Sequence, residues 1–419
     1  QCREIIRKTN PDKLDENDLD RIHTLFIHDI SMASESGGRL AFDLLKDETE
    51  LLSNKGYTLW GRTEKCLSMQ QAAAYNAMAI TASIREDFIN GTHPGAIIFP
   101  VLYAESERRC YSVQDLLASA AIGLKLACYL NQELGQHLSA KGYRPTTVIG
   151  TIAAAGALTW LRYQSEEQSL EAMAAAAGSV TGFAFPFNEG TEEWLLQVPI
   201  SANTAIMACN NVHSLSFHHH QFLTGDFSLG NLIGYKYNEP VCIEDAVKLD
   251  HIGVKRHPVN SFVQPAVEAL LRGFSEKNIK IESISEITVN VPVSFKKMLP
   301  NLNRTGVMQR PNLSLLSIPI SGAIAIIQKR LLFNDLQRAN DREVQELAKK
   351  FSIVFSPKLE NFDVNIQVRT NEDHFTSSVK TSYFYPTLQA EMEWIREQHH
   401  ETFYWVEQYL NQWSFKMIH

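Results

Sequence analysis

The stretch SVQDLLASAAIGLKLACYLNQEL, residues 112–134, decides the fold class. Its apolar residues recur at three- and four-residue spacing, the period of an α-helix, and Ser112 stands where an N-cap is needed. Alanine and glycine fill many of the positions between larger side chains, so helix axes can approach closely and the helix can be buried on several sides. Such a helix belongs inside a bundle. Residues 68–84 (SMQQAAAYNAMAITASI), 146–163 (TTVIGTIAAAGALTWLRY) and 165–183 (SEEQSLEAMAAAAGSVTGF) read the same way. Ser68 and Ser165 are N-caps, the second in a capping-box arrangement. The pattern is mostly helical from about residue 14 to 230.

Beyond Asp250 the period changes. Residues 257–278 read as one helix, while 283–295 (SISEITVNVPVSF) and 361–372 (NFDVNIQVRTNE) alternate as strands do. Helical runs at 316–333 and 341–351 lie between those strands, an α+β pattern. Residues 388–413 return to helical spacing and can rejoin the bundle. The expectation is a mainly α protein, with a large all-helical domain from residues 1–235 and 380–419 and a smaller α+β lid domain from 240–375. Two domains suit 419 residues, because single cores stop growing at roughly 250–300 residues.

With 44% hydrophobic and 21% charged residues, the composition is that of a globular chain. The net charge of -8 comes with no basic run that could neutralise a row of phosphates, which argues against nucleic acid as a partner. Six cysteines, at 2, 66, 110, 128, 209 and 242, are scattered without a CxxC pair, as free thiols in a reducing cytoplasm would be. The N-terminal segment is too polar for a secretory signal, and no run reaches the roughly 18 uninterrupted apolar residues of a membrane span. A cytoplasmic protein without a membrane partner is expected. His218, His219 and His220 would point in different directions on one helix and do not converge on a metal. There is no GxSxG elbow, Walker loop, HExxH or strand-linked GxGxxG.

Four blocks then carry a resemblance: YTLWGRTEKCLSMQQAAAYNAMAI (57–80), HPGAIIFPVLYAESE (93–107), GYRPTTVIGTIAAAGA (142–157) and VKRHPVNSFVQPAVEALL (254–271). Their succession resembles the MmgE/PrpD family, which includes 2-methylcitrate dehydratase, cis-aconitate decarboxylase and iminodisuccinate epimerase. The likeness spans roughly residues 20 to 330. It implies a helical domain built from both chain ends, an α+β lid, a homodimer, and a cleft between the domains. It also implies proton removal beside a carboxylate or carbonyl, with neither metal nor organic cofactor.

Position by position, the resemblance is uneven. The family pattern NGxxxHxxDxDD falls on NAMAITASIRED (76–87), which puts Thr81 at the histidine and Ile84 at the first aspartate but keeps the acids Glu86 and Asp87. His93 matches the family's HP histidine. Arg144 replaces the histidine of the GxHPT block, with Thr146 retained, and Trp194 stands where a lysine is usual. Lys255 matches a family lysine, and Asn260 takes a histidine position with His257 as a nearby stand-in.

The catalytic residues implied are therefore His93, Lys255 and, of the acid pair, Asp87. His93 is either a general acid/base at a helix start or a loop histidine hydrogen-bonded ahead of Pro94. Lys255 is either an anion-binding group or a surface lysine. Arg144, Thr146, Trp194, Gln197, His257, Asn260 and Arg310 are expected to bind substrate, the arginines as carboxylate clamps. Exchanging a lysine for Trp194 and an aspartate for Ile84 removes charge, which suits a larger or less polar small molecule than citrate, free or bound to a carrier. The resulting expectation is a lyase or isomerase of a biosynthetic intermediate. Two other readings stay open: a non-catalytic dimeric scaffold, and retained activity on 2-methylcitrate or cis-aconitate.

Overall fold

A computed structural model describes residues 1–9, 14–37, 43, 51–52, 56–66, 68–215, 221–236, 243–277, 279–404 and 406–407. His218–His220, Cys242 and the chain beyond 407 lie outside the described residues. The first unit comprises Gln1–Ala184, Glu193–Val254 and Pro386–His419, the second Phe185–Glu192 and Lys255–Tyr385.

Helices dominate the first unit: α1 (Cys2–Lys8), α2 (Glu16–Met32), α3 (Met69–Ala82), α4 (Gly95–Arg108), α5 (Val113–Ala140), α6 (Pro145–Tyr163), α7 (Glu166–Ala177) and α8 (Trp194–Asn211). The serine caps sit where the sequence puts them. Ser68, Ser112 and Ser165 each accept the amide of the residue three positions on, satisfying one of the orphan donors at the helix start. Small residues allow the close packing: a Cβ on Gly150 of α6 would lie 2.6 Å from Ile97 Cδ1 of α4, and one on Gly156 would lie 2.9 Å from Met173 of α7. Among the described residues α5 alone is long and apolar enough to cross a bilayer, and 83% of its most apolar window is buried inside the chain. It is the core helix of the bundle.

The first unit is not wholly helical. Strands β1 (Leu51–Leu52), β2 (Tyr57–Thr58) and β3 (Lys65–Cys66) form a small antiparallel sheet ordered β1-β3-β2. Strand β4 (Asp87–Phe88) pairs antiparallel with β5 (Gly253–Val254), Asp87 opposite Val254. Two-residue strands carry no readable alternation, so the sequence does not announce them.

The pairing of β5 puts the division after Val254 rather than near 240, and Phe185–Glu192 groups with the second unit. Arg310 Nη1 donates to the Glu189 carbonyl at 2.7 Å and Asn312 Nδ2 to Glu192 Oε1 at 3.2 Å, which holds that segment there.

In the second unit the helix expected from residue 257 begins only at Gln264, as α9 (Gln264–Ser275). The Gln264 side chain is the cause. Its Oε1 accepts the amides of Arg256 and His257 at 3.0 Å each, and its Nε2 donates to the Val259 carbonyl at 3.0 Å, fixing 256–259 as a turn. Pro265 then suits the first helical turn, where a missing amide hydrogen costs nothing. Strand β6 (Ile284–Pro292) lies between β7 (Phe351–Ser356) and β8 (Val364–Thr370), and β9 (His374–Val379) closes the order β7-β6-β8-β9. Helices α10 (Ile318–Gln328) and α11 (Arg342–Ala348) complete the unit, and Ile287, Val289, Ile366 and Val368 of the sheet are buried.

Helix α12 (Leu388–Gln398) belongs to the first unit. Its Glu391 Oε1 lies 2.8 Å from His28 Nδ1 of α2, both side chains fully buried, and Ser31 Oγ and Thr402 Oγ1 are 2.9 Å apart. The helix breaks at His399, residues 400–404 and 406–407 are helical again, and the rest of the expected run to 413 lies outside the described residues.

Candidate active site

The segment from Ser83 to Gly95 positions His93. Ile84, where the family has an aspartate, has φ of 55°. That left-handed conformation costs a β-branched residue of order 1–2 kcal/mol. The chain is then pinned from α2: His28 Nε2 lies 2.6 Å from the Arg85 carbonyl, and Asp29 Oδ1 accepts the Asp87 amide at 3.0 Å. Past β4, Ile89 and Thr92 exchange both backbone hydrogen bonds, at 2.8 and 2.9 Å, across Asn90 (φ 47°) and Gly91 (φ 88°). This is a two-residue hairpin of the type that Asn-Gly favours. Thr92 Oγ1 donates to Asn131 Oδ1 of α5 at 2.6 Å, and the His93 amide donates to Thr146 Oγ1 of α6 at 3.2 Å.

The imidazole is oriented by a backbone group. His93 Nδ1 lies 2.7 Å from the Asp87 carbonyl oxygen, which can only accept, so Nδ1 carries a hydrogen and Nε2 is the atom able to take a proton. His93 Nε2 faces Glu86 Oε1 at 3.5 Å; the acid is 3% exposed and the imidazole 14%. A reachable base thus stands in front of a buried carboxylate.

The geometry revises the role expected of Asp87. Its Oδ2 accepts the amide of Gly95, the first residue of α4, at 2.9 Å, so the carboxylate is a helix-start acceptor in favourable alignment with the helix dipole. Gly95 has to be small, since a Cβ there would lie 2.4 Å from Asp29 Oδ2 and 2.9 Å from the Phe99 ring. Glu86, not Asp87, is the acid beside the imidazole.

Arg144, the residue before α6, is buried, and its Nη1 donates to the Trp194 carbonyl at 2.9 Å and to Gln197 Oε1 at 3.5 Å. Burial pushes its pKa down to about 10, opposed by the charge of Glu86, so it stays a cation at neutral pH. Gln197 Nε2 donates to the Phe183 carbonyl at 3.0 Å. Trp194, expected on a pocket wall, is 1% exposed and packed within the unit. Thr81, at the family's histidine position, is buried, and its hydroxyl has no hydrogen-bond partner among the described residues.

The remaining expected residues belong to the second unit. Lys255 is 2% exposed, not a surface lysine. His257 Nε2 lies 2.8 Å from Glu268 Oε2, and Arg272 Nε donates to the other oxygen at 2.6 Å. Burial alone would raise the Glu268 carboxyl, but the hydrogen bonds and charges of His257 and Arg272 outweigh it and hold the pKa at about 2. His257 is thus tied to a structural carboxylate. Asn260 Oδ1 accepts the Phe262 amide at 3.0 Å, a local turn contact, and the exposed Arg310 gives one guanidinium hydrogen, on Nη1, to the Glu189 carbonyl. Among the described residues no group of three His, Cys, Asp or Glu side chains could hold a metal ion. Cys2, Cys66, Cys110, Cys128 and Cys209 are free thiols.

These features define a mainly α protein whose helical unit presents an oriented imidazole against a buried acid. The MmgE/PrpD N-terminal domain matches residues 4–214, half of the chain, and the chain belongs to the MmgE/PrpD family. That family is of the dehydratase and lyase type. No curated protein matches the chain.

Proposed function

We propose that the chain is a cofactor-independent lyase or isomerase that removes a proton beside a carbonyl or carboxylate. The observation that carries this reading is the orientation of His93, with Nδ1 on the Asp87 carbonyl and Nε2 facing Glu86. In the first step the substrate C–H bond breaks, the proton passes to Nε2, and the electron pair moves into the carbonyl as an enolate. Glu86 stabilises the imidazolium that forms. Lys255, matched to the family pattern, is assigned to the anionic end of the substrate and the enolate charge. The proton then returns to a leaving group on the next carbon, completing an elimination, or to the original carbon, completing an epimerisation.

The substrate is assigned as a biosynthetic intermediate less charged than citrate. Ile84 beside the acid pair and Trp194 in place of a lysine both lower the number of charged groups available to a tricarboxylate. The working state is assigned as a homodimer. Leu196, Ile200 and Met207 leave an exposed apolar stripe on α8, at 50%, 49% and 62%, and a second copy would cover it.

Deuterium wash-in tests the proposal. Small hydroxy and keto acids incubated in D2O with wild-type protein should exchange the proton α to their carbonyl, and His93→Gln should lose that exchange. Equal wash-in for both proteins would remove His93 from the reaction. Turnover of 2-methylcitrate or cis-aconitate by the wild type would overturn the substrate assignment.

A further inference from the structure

A second cluster in the first unit has a different chemistry. Glu105, near the end of α4, is fully buried and faces three guanidinium groups. Arg162 Nη2 donates to Glu105 Oε2 at 2.7 Å, and Tyr111 Oη donates to Oε1 at 2.8 Å. Arg108 Nη1 and Arg109 Nε stand 3.6 and 3.9 Å from the same carboxylate, beyond hydrogen-bond range. One negative charge is thus set against three positive ones. Glu107, the nearest acid along the helix, accepts the Thr58 amide at 2.8 Å and faces Lys65 at 3.9 Å.

The three arginines open onto a cavity of about 440 Å³ that Tyr57, Tyr163 and Asn210 also line. Ser68, Met69 and Gln70, at the start of the 14-residue helix α3, line it as well. Arg162 is held in place by Asn210 Oδ1 at 2.6 Å and by Glu105, its side chain is 2% exposed, and its buried Nε has no hydrogen-bond partner among the described residues. Arg108 and Arg109 are 41% and 48% exposed, so their forks can turn towards an incoming group.

We propose that this cavity is a binding site for a small phosphate-ester dianion, held by Arg108 and Arg109 over the Arg162–Glu105 pair. A surplus of two positive charges matches a phosphate monoester, which carries roughly -1.5 to -2 at neutral pH, and planar guanidinium groups bind phosphate oxygens in pairs. The helix start adds a favourable dipole. Aromatic side chains give the organic part of the ester a surface to rest on. The site does not rest on the reading of His93.

Titration calorimetry of the full chain at low salt and pH 7.5, with glycerol 3-phosphate, inorganic phosphate and succinate as probes, tests the site. Both phosphates should bind saturably at one site. The double variant R108A/R109A should weaken that binding about tenfold or more, on the scale of losing one or two charge-assisted hydrogen bonds, and the milder R109Q should weaken it less. The variant R369A, at an exposed arginine of the second unit, should bind as wild type. Absence of binding to the wild type, or unchanged affinity in both R108A/R109A and R109Q, would overturn the site. Succinate binding as tightly as phosphate would overturn the ligand class.

Discussion

Asp87→Asn separates a positioning role from a catalytic one. In the structure Asp87 Oδ2 accepts the Gly95 amide at 2.9 Å, and the Asp87 amide itself is held by Asp29 Oδ1 at 3.0 Å. Asparagine keeps an acceptor oxygen of the same shape but removes the charge. A charge-assisted hydrogen bond contributes about 1.5–3 kcal/mol against about 1 for a neutral one, and up to roughly 2 kcal/mol of helix-dipole energy goes with the charge. Relief from burying a carboxylate offsets part of this, which leaves a local cost of about 1–2 kcal/mol. Asp87→Ala also strands the Gly95 amide and opens a cavity, for about 3 kcal/mol in all. Because two units need not unfold together, the measurement is hydrogen exchange of the peptide spanning 87–100 rather than a melting temperature. Exchange should quicken roughly 5- to 30-fold in Asp87→Asn and further in Asp87→Ala, with wash-in activity falling in the same order and its pH profile keeping its shape. Unchanged exchange together with lost activity would refute the cap and make Asp87 a participant in the chemistry.

Gly95→Ala should disturb the same junction from the other side, since its Cβ would press to 2.4 Å from Asp29 Oδ2; a cost of about 1–3 kcal/mol and loss of wash-in are expected, and a fully active, fully stable variant would contradict the packing. Glu268 has its folded pKa held at about 2 against 4.5 for an ordinary glutamate, so it contributes stability above the unfolded value that is lost as pH falls from about 5 to 2. That contribution is roughly 3 kcal/mol, and Glu268→Gln should flatten the acid limb of an unfolding curve read on second-unit peptides. Light scattering should give a dimer mass for the wild type and a monomer mass for Ile200→Glu/Met207→Glu, whose side chains are 49% and 62% exposed; a wild-type monomer would refute the α8 interface.

The sequence by itself determined the helices. Ser68, Ser112 and Ser165 mark their starts, and apolar spacing at three and four residues marks their buried faces, because both signals are local and act within one or two turns. The hairpin at Asn90-Gly91 was missed, although that dipeptide tolerates the positive φ a tight turn needs. Strands β7 and β9 were harder to see: β7 pairs parallel with β6, which lies far away in sequence, and β9 is a largely polar edge strand. The helix start at Gln264 depended on a side chain reaching back to residues 256, 257 and 259, which no periodicity encodes.

Only the tertiary structure decided the candidate site. Glu86 and Asp87 are chemically alike and adjacent in sequence, but successive side chains on an extended backbone point to opposite sides. Which of them meets His93 was fixed by the pairing of Asp87 with Val254 and by Asp29 on α2, residues 167 positions after and 58 positions before Asp87. The contacts of Arg310 with Glu189 and of His257 with Glu268 were likewise set by partners that become neighbours only when the chain folds. Side-chain chemistry is written in the sequence; the direction in which a side chain points, and therefore its work, belongs to the fold.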